Sequence, residues 1–368
     1  MSGKEGDETL GNLDYSRDDC DGDEAPNPPW HLPDSDPDWQ KHPRKSPLQI
    51  LQEKKDAGDY LKICAPMVRY SKLPFRELVR SYNVDVAYTP MILADVYKHS
   101  KISRDTEYRT NSKDQPVVVQ FAASCAEDLA DAAELAAPYA NGIDLNCGCP
   151  QKWAIHEGIG AHLMSQPELV RDMVRQVKSR TSPIRMADGS SFPCSIKIRV
   201  HPDLRETVEF VRRAEAVGVD WITVHGRTRR MRNTEPVDLD AIKLVKEIAT
   251  VPIFANGSIF SLSDADRTIS HTKADGVMAA RGLLENPALF AGYDSTPLEC
   301  IEKYVKLGIG YGSTSFIFHH HLMFMLEGSM SRAEKKRFNC LTSIPGIVDY
   351  LEEHYDLDLV GKFPQIGS

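Results

Sequence analysis

Eight short β-type runs recur along this chain, each followed by room for a helix. They lie at residues 61–65, 84–89, 116–121, 142–146, 194–200, 220–225, 252–255 and 275–280. Most are continuously apolar, the pattern of strands buried on both faces in a parallel sheet. Between them, residues 127–137, 168–180, 204–217 and 239–248 carry apolar side chains at helical spacing. Eight β-then-α units in succession predict an α/β fold, a (β/α)8 TIM barrel. A doubly wound open sheet is the runner-up. It usually has fewer strands in this length, and no G-x-G-x-x-G follows the first run.

The flanks differ from the barrel. From residue 296 the strands stop and helix signals take over. Thr296-Pro297 starts one helix, Gly308 and Gly312 mark the next boundary, and Gly328 can end the following helix. Ser331-Arg332-Ala333-Glu334 matches a capping box, and Pro345-Gly346 precedes a last helix. Residues 296–368 are therefore expected to form a small C-terminal all-helical domain, too small to be stable without the barrel beside it. At the other end, residues 1–40 hold 12 acidic and 2 basic side chains. Such a stretch buries too little apolar surface to offset its ordering entropy, so residues 1–58 are expected to form a disordered acidic tail, with Trp30 and Trp39 its main apolar groups. The remaining 328 residues carry 41 acidic and 42 basic side chains, and so admit a nucleic-acid partner where the cations cluster.

No apolar run approaches the ~20 residues of a membrane span, and the N-terminus reads as neither a signal nor a transit peptide. Eight scattered Cys do not make a disulfide framework. A reducing compartment is expected, the cytoplasm or the nucleus.

In such a barrel the chemistry sits at the C-terminal strand ends. Those ends carry Cys64-Ala65-Pro66-Met67-Val68, Gln120, Asp144-Leu145-Asn146-Cys147-Gly148-Cys149-Pro150, Lys197-Ile198-Arg199, His225-Gly226-Arg227-Thr228-Arg229, Asn256-Gly257-Ser258 and Ala280-Arg281-Gly282. Gln120 alone could cap a loop, and Lys197 could pair structurally with Asp144 or Glu157. Several such residues on one face are harder to dismiss. The elements Asn256-Gly257 and Arg281-Gly282 follow the seventh and eighth runs, where barrels commonly hold a phosphate on backbone N–H groups. A phosphate-bearing cofactor is the physical expectation. Cys147 and Cys149 lack a second ligand pair for zinc, and the His319-His320-His321 run sits in an amphipathic helical segment, so no metal site is expected. Cys149, in a Gly-flanked loop over the barrel mouth, reads as an exposed thiol acting as acid or nucleophile, and Cys147 as buried. Cations crowd Arg227, Arg229, Arg230 and Arg232, and again Arg332, Lys335, Lys336 and Arg337. Two basic runs flanking one mouth suit an extended polyanion.

In order along the chain, Cys64-Ala65-Pro66-Met67, Asp144-Leu145-Asn146-Cys147-Gly148-Cys149-Pro150, Ser195-Ile196-Lys197-Ile198-Arg199, Val224-His225-Gly226-Arg227-Thr228-Arg229 and Asp275-Gly276-Val277-Met278 closely resemble the tRNA-dihydrouridine synthases. The likeness covers residues ~60–355. The Val68-Arg69-Tyr70-Ser71-Lys72-Leu73 stretch resembles the eukaryotic branch acting on U20a and U20b of the D-loop. The resemblance implies a flavin-dependent oxidoreductase using NAD(P)+, with FMN bound and NADPH as reductant, tRNA as partner, and neither membrane nor metal involved. A monomer is expected. Position by position, the resemblance puts Pro66, Met67, Val68, Gln120, Lys197 and His225 around the flavin ring, and Asn256, Gly257, Ser258, Ala280 and Arg281 around its phosphate. Cys149 takes the place of the catalytic proton donor. Hydride would reach C6 of uracil from FMN, with Cys149 giving a proton to C5. Ser258 and Ala280 depart from the Asp and Gly often found at those positions. A flavin reductase of a free pyrimidine or small enone, and a catalytically silent tRNA-binding protein, are the alternatives.

Overall fold

The structure, a computed structural model, describes residues 44–357 and Leu359. Its strands are β1 (Leu61–Cys64), β2 (Val86–Tyr88), β3 (Ile92–Leu93), β4 (Val117–Ala122), β5 (Gly142–Cys147), β6 (Cys194–Arg199), β7 (Trp221–His225), β8 (Ile253–Asn256) and β9 (Gly276–Ala279). Eight of them close a parallel barrel in the order β1, β2, β4, β5, β6, β7, β8, β9, with β9 pairing back onto β1. Each of the eight expected runs supplies one barrel strand. The short β3 adds to the end of β4, with Ile92 opposite Phe121 and Leu93 opposite Ala122. Two residues carry no readable period, so no pattern in the sequence marks this strand.

Side chains alternate along each strand, and the alternation sorts apolar from polar groups. On β5, Ile143, Leu145 and Cys147 join the apolar layer beneath the helices, together with Ile196 and Ile198 of β6 and Ile222 and Val224 of β7. Asp144, Asn146, Ser195, Lys197, Thr223 and His225 are left on the opposite, interior face. Lower in the barrel that face is closed by Tyr88, Trp221 and Phe254, where the Trp221 indole N–H donates to the Tyr88 hydroxyl at 2.9 Å. The upper interior is thus polar and the lower interior filled. Outside, Asp203 and Asp238 cap the helices Leu204–Glu215 and Leu239–Ile248, both of which fall where the helical spacing places them.

The disorder expected over residues 1–58 does not hold for residues 44–58. Pro47–Asp56 is a helix, capped by Ser46 in a box with Gln49 and with Pro47 in its first turn. Leu51 is buried with the barrel residues Leu61 and Ile63, and Lys54 and Lys55 reach Asp85 and Asp275 at 2.8 and 2.6 Å. Packing against the barrel overrides the polar composition, since most helical stability in proteins comes from tertiary contact. Residues 1–43, with Trp30 and Trp39, lie outside the described residues.

After the barrel come the helices Leu298–Gly310, Ser315–Met325, Arg332–Phe338 and Ile344–Tyr355. The Ser331–Glu334 capping box forms as expected. Pro297 caps the first helix from outside it, and Pro345 sits in the first turn of the last helix and does not separate elements. Gly308 is inside a helix: a Cβ there would stand 2.7 Å from the Phe318 ring, so glycine lets two helices touch. Tyr304, Phe318 and Leu322 share one apolar cluster with Ile63 and Phe75 of the barrel. The helical segment has no separate core, in line with the expectation that it could not stand alone. Among the described residues, no helix is long and apolar enough to cross a membrane.

Candidate active site

Strand register gathers the polar residues at one end of the barrel. Gln120 lies opposite Asp144, Asn146 opposite Lys197, Arg199 opposite His225, and His225 opposite Asn256. Gln120 is wholly enclosed. Its Nε2 donates to Asp144 Oδ2 at 2.7 Å, and its Oε1 accepts from Asn146 Nδ2 at 2.8 Å. Ser195 Oγ donates to the other Asp144 oxygen at 2.6 Å. Burial pushes Asp144 up to about 6, held there against its bonds from Ser195 and Gln120 and the charge of Lys197.

The loop after β5 carries the two cysteines to different fates. Cys147 is the last strand residue and points with Ile143 and Leu145 into the helix layer. Burial holds its thiol well above the ordinary range, so it is no nucleophile. Gly148 turns the chain, and Cys149 is partly exposed. The Asn146 side-chain oxygen accepts from the N–H groups of Gly148 and Cys149 at 3.1 and 2.9 Å. From the other side, the Cys149 carbonyl accepts from Ala161 N–H at 2.9 Å. Gly160 makes that approach possible. Its φ is +63°, and a Cβ there would stand 2.8 Å from the Cys149 oxygen. Arg199 fixes the turn from below, donating to the Gly148 and Thr228 carbonyls at 2.8 and 3.0 Å.

Lys197 stands beside this loop. Burial, then the neighbouring Arg199, lowers its ammonium to about 8, so it stays mostly charged at neutral pH. Among the described residues no ion pair or hydrogen bond engages it, and neither Asp144 nor Glu157 is its partner. His225 is driven down to about 2 by burial and by Lys197, Arg199, Arg227 and Arg281 around it, so the ring is neutral. Arg227 can only donate, and it lies 3.1 Å from His225 Nε2, so that nitrogen accepts and Nδ1 carries the proton. Arg227 also reaches the Glu235 carbonyl and Ser258 Oγ, both at 2.7 Å. It is buried, and so leaves the exposed cation cluster to which its neighbours Arg229, Arg230 and Arg232 belong.

The residues expected around a phosphate lie at the ends of the neighbouring strands β8 and β9. Asn256 is anchored to the Met278 carbonyl at 2.8 Å. Gly257 and Ser258 both have positive φ, 125° and 53°. A Cβ at Gly257 would collide with Val237 at 2.8 Å and press on His225 at 3.0 Å, so only glycine fits between them. Arg281 is exposed beside Ala280, bonds the Asn233 carbonyl at 3.1 Å and lies 5.2 Å over the Phe260 ring. Gly282 lets this turn pack, since a Cβ would overlap the Ile259 oxygen at 2.1 Å.

Next along the rim, Pro66, Met67 and Val68 form the loop after β1, the strand that pairs with β9. Ser71 Oγ accepts from Met67 N–H at 2.9 Å, and Val68 projects outward, half-exposed. The strand-end residues therefore converge on one mouth, with Gln120 beneath it. Sequence reasoning missed Asn146, Arg199 and Gly160 as holders of the Cys149 loop. The Asn two residues after Asp144 was readable as a strand-end amide; the left-handed Gly160 was not.

Each histidine of the run has a hydrogen-bond partner of its own, His320 meeting the Tyr70 hydroxyl at 3.2 Å. His319 bonds the Phe338 carbonyl at 2.9 Å, and His321 stacks on Phe75 at 4.6 Å between ring centres. No cluster of three or more potential ligands occurs among the described residues. Of the second cation run, Lys335 is turned to Glu327 at 2.7 Å, while Arg332, Lys336 and Arg337 are exposed. Arg69, in the β1 loop at a φ of 73°, lies 5.7 Å over the half-exposed Phe316 ring of the helical segment.

A family model described as dihydrouridine synthase matches residues 63–341. A mouse protein named tRNA-dihydrouridine(20a/20b) synthase [NAD(P)+]-like is 52% identical over 319 residues, covering 87% of this chain and 95% of that protein. Proteins named tRNA-dihydrouridine(20a/20b) synthase [NAD(P)+] are 44% identical in Schizosaccharomyces pombe, over 84% of this chain and 92% of theirs, and 43% in Saccharomyces cerevisiae, over 86% of each. The match runs from the first barrel strand through the helix that carries the basic run, and this chain belongs to the dihydrouridine synthase family.

Proposed function

We propose that this chain reduces uridine to dihydrouridine in the D-loop of tRNA, at positions 20a and 20b, using FMN and NADPH. The observation that carries the reading is the part-exposed Cys149, held by Asn146, Gly160 and Arg199 beside an unpartnered Lys197 ammonium at the barrel mouth. The names of the mouse and yeast relatives support the substrate and the reductant.

The residues fit FMN. The Gly257–Ser258 turn, with both residues at positive φ, and the exposed Arg281 offer backbone N–H groups and a cation to a phosphate. Lys197 and the neutral His225, with its Nδ1–H, offer donors to the carbonyl-bearing edge of a ring. Bound there, FMN supplies hydride. This chain's residues do the rest. Lys197 places positive charge where negative charge gathers. Cys149 holds a proton over the base and delivers it, since a thiol can donate near neutrality. The base must be turned out of the folded tRNA to reach this pocket, which gives the exposed Arg229, Arg230, Arg232, Lys336 and Arg337 their role on phosphates. The half-exposed Phe316 with Arg69 above it offers a stacking surface at the seam of barrel and helices. A reductase of free pyrimidine would need neither the exposed cations nor this stacking surface.

The test is to map dihydrouridine in tRNA from cells lacking the protein. Loss at 20a and 20b, restored by the intact chain, is the expected result; full modification at both positions would overturn the reading. Two further outcomes follow. FMN retention should weaken as pH rises through about 8, because the Lys197 ammonium is then lost, and Lys197→Met should bind weakly and show no such step. Equilibrium dialysis across pH 6.5–9.5 checks both. Replacing Arg332 and Lys336 by Ala should weaken all tRNAs alike and lower the salt slope by roughly 0.7 for each single-stranded phosphate no longer neutralised. Lys335→Ala should change the slope little, because that side chain is already paired with Glu327.

A further inference from the structure

Asp144 touches neither Cys149 nor the mouth, yet a continuous chain of side-chain bonds runs from it to the thiol loop. Ser195 O–H and Gln120 N–H donate to its two oxygens, Asn146 N–H donates to Gln120, and the Gly148 and Cys149 N–H groups donate to Asn146. The polarity of this chain is fixed at both ends. A carboxylate only accepts, so Gln120 must turn its NH2 to Asp144 and its oxygen to Asn146. Backbone N–H groups only donate, so Asn146 must turn its oxygen to the loop and its NH2 to Gln120. The two demands agree, and neither amide can flip without breaking bonds at both of its ends. Gln120 and Asp144 are fully buried, so no bulk solvent competes for these bonds. At neutral pH Asp144 is mainly the acceptor form that this arrangement needs.

We infer that Asp144 is a positioning residue: by fixing which way the Gln120 and Asn146 amides face, it holds the Gly148–Cys149 backbone and so sets the place of the thiol. A second consequence follows for what the mouth recognises. Asn146 Oδ1 is spent on two backbone N–H groups, so Asn146 has one N–H left to offer, while Gln120 keeps one N–H and the second lone pair of its oxygen. Anything seated on Asn146 presents an acceptor, such as a ring carbonyl or ring nitrogen. The catalytic part of this inference rests on Cys149 being the acid; the structural part does not.

The experiment compares Asp144→Ala and Asp144→Asn with the unaltered FMN-loaded protein. Hydrogen exchange reads the Gly148 and Cys149 amides, iodoacetamide labelling reads the Cys149 thiol, and single-turnover oxidation by tRNA reads the chemistry. Asp144→Ala should speed exchange at those two amides at least tenfold, alter the labelling rate of Cys149, and slow oxidation by tRNA at least tenfold. Asp144→Asn should restore all three to within about threefold, since its oxygen can still accept from Gln120 while its NH2 donates to Ser195. A merely structural role would not be rescued with that selectivity. Should Asp144→Ala not fold, Gln120→Leu cuts the same chain one bond later and carries the same expectation for exchange. Unchanged exchange at Gly148 and Cys149 in the variant that folds would overturn the inference, as would an Asn variant no better than Ala. Fast exchange and altered labelling with normal turnover would keep Asp144 as the holder of the loop and reject Cys149 as the acid.

Discussion

Replacing Cys149 by Ala should leave a folded, yellow protein that NADPH still reduces, but whose oxidation by tRNA is slowed by ~10²–10⁴-fold, the usual contribution of general acid catalysis. Among the described residues the thiol makes no hydrogen bond that holds the fold. The backbone of the loop is fixed by Asn146, Ala161 and Arg199, which bond Cys149 N–H, Cys149 C=O and Gly148 C=O. Alanine keeps all three. Cys147→Ala is the matched control. It faces the helix layer with Ile143 and Leu145, so its loss should cost about 1–3 kcal/mol of packing and leave the chemical step intact. Stopped-flow oxidation of pre-reduced enzyme by tRNA separates the two. Equal losses in both variants, or normal turnover in Cys149→Ala, would remove the thiol from the reaction.

How much of this was legible in the sequence depends on the range of the interaction. The eight barrel strands were readable because burial on both faces writes an apolar run into the chain itself. The different fates of Cys147 and Cys149 were also readable, since they follow from strand alternation ending at Gly148. What register decides was not. Nothing in the sequence says that Gln120 faces Asp144 across β4 and β5, so the amide chain to Cys149 was hidden and Asp144 looked like a partner for Lys197. Nor does a run of arginines say which of them turns inward. Arg227 is drawn into the barrel end by three acceptors on three segments, His225, Glu235 and Ser258, while Arg229 and Arg230 stay outside. The helix Pro47–Asp56 shows the reverse error. Its capping box was in plain view, but the acidic composition before it was allowed to outweigh a local signal that packing then made decisive.

The largest stability loss should come from a residue outside the mouth, Asp114. Its carboxylate is fully buried and takes the guanidinium of Arg76 at 2.6 Å, that of Arg80 at 3.2 Å and the hydroxyl of Thr110 at 3.1 Å. Arg76 is itself almost wholly buried and carries the pull onward, donating to the Ser71 carbonyl at 2.7 Å. Ser71 in turn holds Met67, so the hub ties the 110–114 loop to the loop that forms one rim of the mouth. Asp114→Ala leaves two guanidinium groups without their buried counter-charge. Breaking a buried pair in this way typically costs about 3–5 kcal/mol. Thr110→Val removes one hydrogen bond and no charge, and should cost only about 0.5–1.5 kcal/mol. Urea unfolding of the three proteins ranks them. Because the rim is anchored through Arg76, the part of Asp114→Ala that stays folded should also hold FMN less tightly, while Thr110→Val should hold it normally. An Asp114→Ala protein within about 1 kcal/mol of the parent would mean that Arg76 and Arg80 find other acceptors, among them the Arg109 and Pro116 carbonyls they already touch at 2.7 and 2.6 Å.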